Sequence, residues 1–89
     1  MTSRTTSRFR EAYRGPPDHV QRRAREAYRR FKEDPHHPSL HFKHVHAARP
    51  IYAARVGLGH RALGIVDAEV VVWFWIGTHA EYDRLLRTL

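Results

Sequence analysis

The stretch Val70–Ile76, VVVWFWI, places seven apolar side chains in succession. A strand with one wet face alternates apolar and polar residues, so an unbroken run asks for cover on both faces and an interior place in a sheet. Helices must then pack over at least one face of that sheet. The run is far shorter than the roughly 20 residues of a membrane helix, so no membrane partner is expected. With 89 residues, the chain has room for one core, and residues 1–89 read as a single domain.

The rest of the chain supplies that cover. Thr2–Thr6 is polar and rich in β-branched residues, which suits an edge strand. Ser7 is placed to cap a short helix with Phe9, Ala12 and Tyr13 on one face, ended by Gly15-Pro16-Pro17. Asp18, with Gln21 three residues on, reads as a capping-box variant opening a second helix. Its apolar face is Val20, Ala24, Ala27, Tyr28 and Phe31, and Asp34-Pro35 stops it. After a turn-rich His36–Ser39, the segment LHFKHVH reads as an irregular bridge anchored by Leu40, Phe42 and Val45. Strands are predicted over Ile51–Val56, His60–Val66 and Glu69–Ile76, with turns at Gly57-Leu58-Gly59 and Asp67-Ala68. Gly77 is expected to break the third of these, and Thr78 with Glu81 forms a capping box for a last helix carrying Leu85, Leu86 and Leu89. The expected order is β, α, α, β, β, β, α.

Sixteen Lys and Arg face nine Asp and Glu, a formal charge of +7, and eight histidines add a titratable reserve. The partner implied is a polyanion or an acidic protein, and arginine supplies nearly all of the cations, which suits bidentate contact with phosphate or carboxylate. The basic face of the second helix, Arg22, Arg23, Arg25, Arg29, Arg30 and Lys32, reads equally as a solvated face. No helix-turn-helix pattern argues for direct DNA binding. Cysteine is absent, which excludes disulfides and thiolate metal sites. The basic N-terminus has no apolar run behind it, so no secretory signal is expected and the cytoplasm is the expected location.

Three segments in order, DPHHPSLHFK, IYAARVGLGHRAL and WFWIGTHAEYD, resemble landmarks of the RelE/ParE toxin superfamily, and the resemblance runs from about Phe9 to Leu86. It implies an α+β fold in which an N-terminal helical pair packs on a small, curved antiparallel sheet, followed by a short C-terminal helix. Many such relatives are endoribonucleases that cut messenger RNA on the ribosome without a metal or other cofactor and are silenced by a cognate antitoxin. Others poison DNA gyrase, so three readings stand: a ribosome-dependent endoribonuclease, a gyrase-directed toxin, and an inert chain that binds its antitoxin.

Metal-free RNA cleavage needs a base for the ribose 2′-hydroxyl, an acid for the leaving oxygen, and cations on the phosphate. The resemblance assigns the phosphate to Arg55 and Arg61, which one hairpin brings close; the alternative is a pair of sheet-surface arginines. His79, at the start of the last helix, is the first choice for acid or base. Tyr82, one turn on, can donate a proton or stack on a base, and both residues can instead brace the helix. Asp83 reads as a surface charge. In relatives the segment holding Lys43 leads toward the site, and some carry another cation near Ala53, where Ala53 and Ala54 are both neutral here. His36, His37, His41, His44 and His46 crowd one segment but match no zinc pattern, so no physiological metal is expected there. His44 and His46 are instead assigned, with Lys43, to RNA binding.

Overall fold

A computed structural model describes residues 1–89. The elements are β1 (Thr2–Thr5), α1 (Ser7–Arg14), α2 (Asp18–Glu33), a 3-10 turn (Pro38–Leu40), β2 (Lys43–His44), β3 (Ile51–Val56), β4 (His60–Asp67), β5 (Val70–Thr78) and α3 (His79–Thr88). The expected order holds, with one addition. The bridge segment contributes the two-residue strand β2, paired antiparallel to β3 through Lys43↔Ala53 and His44↔Tyr52. Two residues are too few to register as a periodicity.

The strand order is β1-β5-β4-β3-β2, so the apolar run of β5 lies inside the sheet, flanked by β1 and β4. β3, β4 and β5 form an antiparallel meander, whereas β1 pairs parallel to β5 and makes the sheet mixed. A bulge lies opposite Leu63 and Gly64: Leu63 pairs with Trp75 and Gly64 with Trp73, leaving Phe74 as the extra residue. The bulge divides the run between two cores. Val71, Trp73 and Ile76 pack beneath α1 and α2, while Phe74 and Trp75 both join the cluster beneath α3.

The larger core centres on Phe31, 2% exposed, whose ring meets Phe42 edge-on at 4.9 Å and Trp73 at 5.2 Å. Burying an aromatic side chain of this kind contributes about 1.5–3 kcal/mol. The smaller core joins Ile51, Ala53 and Leu63 to Tyr82 of α3.

Several local expectations are corrected. The cap of α1 is Thr6 rather than Ser7, because the Phe9 amide donates to Thr6 Oγ1 at 3.1 Å. α2 has no side-chain cap: Pro17 occupies the cap position, which places Asp18 inside the first turn. Gln21 instead ties the two helices together, its Nε2 donating to the carbonyls of Pro16 at 2.9 Å and Arg14 at 3.2 Å. Gly77 does not break β5, which runs on to Thr78. A Cβ at position 77 would lie 2.5 Å from the Trp75 ring, so glycine there makes room for the indole. The Thr78/Glu81 capping box forms as expected, with Glu81 N donating to Thr78 Oγ1 at 3.1 Å and Thr78 N to Glu81 Oε1 at 2.8 Å. No helix is long and apolar enough to cross a membrane.

Candidate active site

The hairpin register sets the first half of the site. Arg55 and Arg61 are direct cross-strand partners, two positions beyond the Ala53↔Leu63 pair, so both project to the α3 face. Arg55 Nε donates to the Gly57 carbonyl at 3.2 Å, and Arg61 Nη1 to the His60 carbonyl at 2.8 Å. Partial burial and then the neighbouring Arg55 hold the Arg61 guanidinium below its ordinary pKa, with Tyr82 and Asp83 acting the other way. A guanidinium stays protonated regardless. The direction therefore describes a cation partly withdrawn from water beside a like charge. His79 with Asp83 is the sole salt-bridge pair of the chain, so neither arginine has a carboxylate beside it.

The second half comes from α3. The capping box fixes where the helix starts, and the His79 amide donates to the Gly59 carbonyl at 2.8 Å, seating that start on the β3–β4 turn. His79 Nδ1 lies 3.0 Å from Asp83 Oδ2, one turn on, with both side chains 48% exposed. An Nδ1–H donated to Asp83 leaves the Nε2 lone pair free. Tyr82 is 7% exposed and meets the His79 ring edge-on at 5.9 Å. Burial raises its pKa, Asp83 adds to the rise, and Arg61 opposes it by favouring the phenolate. No buried side-chain oxygen or nitrogen lacks a partner, so the Tyr82 hydroxyl, which bonds to no protein group, reaches the surface of the cleft.

Arg55, Arg61, His79, Tyr82 and Lys43 all line one cleft of about 330 Å³. Asp83 and His41 line it too. The sequence reading assigns neither to the catalytic cleft, taking Asp83 as a surface charge and His41 as part of a basic histidine-rich surface. Asp83 carried a usable signal, its spacing of four from His79 on a helix. His41 carried none, since its ring reaches Arg55, at 3.5 Å from Nη1, through the tertiary fold. The sheet also answers the neutral residues at 53 and 54. Ala53 is 1% exposed, and its β2 partner Lys43 lines the same cleft beside it, a cation supplied from the neighbouring strand.

His44 and His46 are not brought to the cleft. His44 pairs with Tyr52, on the other face, stacks on its ring at 5.0 Å, and its Nε2 meets the Arg49 carbonyl at 2.6 Å. His46 Nδ1 accepts from the amides of Ala48 and Arg49, at 3.0 and 2.9 Å, and so shapes the loop before β3. No three His, Asp or Glu side chains converge anywhere in the chain.

A five-stranded mixed sheet with a helical pair on one face and a short C-terminal helix on the other is a fold seen in several solved toxins. The toxin–antitoxin complex RelB–RelE of Methanococcus jannaschii contains one, with a TM-score of 0.73 and 16% identity over 91% of this chain and 96% of that one. The RelBE2 complex of Mycobacterium tuberculosis gives 0.70 and 22% over 88% and 96%. The isolated RelE toxin of E. coli gives 0.66 and 16% over 99% and 98%. No curated protein matches the chain in sequence. Residues 18–84 match the ParE-like toxin domain, and the chain belongs to that family.

Proposed function

We propose that this chain is the toxin of a toxin–antitoxin pair and acts in the cytoplasm by cutting messenger RNA on the ribosome, with no metal or other cofactor in the reaction. The observation that carries this reading is the convergence of two unpaired arginines, a His–Asp dyad and a protonated tyrosine on one cleft. These are the groups that 2′-hydroxyl attack requires. His79 Nε2 takes the proton of the 2′-hydroxyl while Asp83 holds the ring through Nδ1. The 2′ oxygen bonds to phosphorus, and Arg55 and Arg61 neutralise the charge that builds on the phosphoryl oxygens. The bond from phosphorus to the 5′ oxygen then breaks, and Tyr82 gives that oxygen its proton, the phenolate being stabilised by Arg61. The products are a 2′,3′-cyclic phosphate and a 5′-hydroxyl, and water restores both side chains.

An antitoxin partner is supported by the fold relatives solved as RelB–RelE and RelBE2 complexes. Copurification with the product of an adjacent reading frame tests that part. The catalytic part is tested by inducing the chain beside Arg61→Ala and His79→Ala variants and mapping messenger RNA ends. Growth arrest with cuts inside translated codons, absent from folded variants, is the expected result. Arrest with intact messages points to gyrase, and unimpeded growth with abundant folded protein leaves antitoxin binding as the function.

A further inference from the structure

Where α2 meets the end of β3 there is a second open depression, of about 440 Å³. Arg23 and Arg30, seven residues and so nearly two turns apart on α2, both line it, and Arg55 lines both it and the active-site cleft. Two of these arginines are seated. Gly57 has φ +63°, and a Cβ there would lie 2.9 Å from Arg23 Cδ, so the Arg23 stem lies across the hairpin backbone. Arg30 Nη1 donates to Ser39 Oγ at 3.1 Å. Glu26 is the single carboxylate in the lining, and neither it nor any other acid pairs with a Lys or Arg of this chain.

We infer that this depression is a phosphate subsite for the same RNA strand whose scissile phosphate occupies the cleft. The inference rests on the reading above. Three guanidinium groups against one carboxylate favour an anion, and their fork geometry suits phosphate. Continuity through Arg55 favours a polyanion that passes from one depression to the other. No aromatic side chain lines the depression, so it lacks the anchor pocket of an amphipathic acidic peptide.

The test measures binding of a 2′-O-methyl RNA oligonucleotide, which cannot be cut, by fluorescence anisotropy across a salt series. The double variant Arg23→Gln/Arg30→Gln retains the aliphatic stem on Gly57. Its control, Arg22→Gln/Arg29→Gln, removes equal charge from exposed positions of the same helix outside the depression. Thermal melts report the fold of each. The subsite variant is expected to weaken binding at least about tenfold at low salt and to lower the slope of log K against log salt by about 1.4, or 0.7 per lost phosphate contact. The control is expected to weaken binding less than about threefold. Equal losses in the two variants, or an unchanged affinity in the first, overturn the subsite, as does lost affinity for a copurified acidic protein with RNA binding intact. Arginine-dependent binding by a chain that cuts nothing in cells upholds the subsite and sinks the cleavage reading. Cutting in cells with binding indifferent to Arg23 and Arg30 does the reverse.

Discussion

Beneath α1 and α2, nine buried residues form one cluster without a charged member; beneath α3, the buried cluster has four, and the rest of that face opens into a cleft lined by cations. The same sheet serves both faces, and its alternation keeps them apart. Arg55 and Arg61 lie on one side, while Ala54, Val56 and Ala62, their sequence neighbours, lie on the other. Adjacent, unpaired guanidinium groups cost stability that the cleft itself does not return, so the opposite face must supply it. Folding and chemistry are thus separable in this chain by face rather than by segment.

The strongest way to break that division is Phe31→Ala. It should cost about 3–5 kcal/mol in urea unfolding, a large share of what a domain of this size has. A loss under about 1 kcal/mol would mean that the α1/α2 face does not hold the fold. Arg61→Ala should do the opposite. Cleavage should fall by about 10²–10³-fold with stability within about 0.5 kcal/mol of the parent. An unfolding midpoint that drops as far as that of Phe31→Ala would show the cleft to be structural.

Asp83→Asn sharpens the comparison within the cleft. Orienting His79 without transferring a proton itself, Asp83 should be worth about tenfold in cleavage, short of the 10²–10⁴-fold of a proton-transfer group. Its exposed pairing should contribute less than about 1 kcal/mol to stability. Equal cleavage by the variant would return Asp83 to the surface charge that the sequence suggests.

Tyr82 belongs both to the smaller core and to the cleft, and ties stability to pH. Its pKa is raised, chiefly by burial, so the folded chain holds the phenolic proton more tightly than the unfolded chain does. The resulting stabilisation is fully present below the ordinary tyrosine value of about 10 and is lost as pH climbs through the higher folded value. Unfolding free energies measured through the alkaline range should therefore fall more steeply for the parent than for Tyr82→Phe. Parallel curves would mean that burial does not protect the proton. The smallest effect is expected at Ala68, in the β4–β5 turn with φ 53°. Ala68→Gly should relieve the left-handed strain and add about 0.5 kcal/mol, net of glycine's entropy, without touching cleavage. A loss of stability there would show the turn to be unstrained.

The order of helices and strands, the hairpin turns and the Thr78/Glu81 cap were legible because each depends on residues within about one helical turn or one tight turn of each other. Where two local signals competed, at Thr6 against Ser7 and at Pro17 against Asp18, the cap was misplaced by one residue. That Arg55 and Arg61 lie close followed from the hairpin between them, while their direct pairing is a matter of register. What the tertiary structure alone decided is non-local. The parallel seat of β1, the bulge that splits VVVWFWI between two cores, the indole that requires Gly77, and Lys43 standing in beside Ala53 all depend on register between strands. Neither composition nor periodicity specifies how a strand slides against a neighbour, because register is set by which side chains fit once both faces are packed.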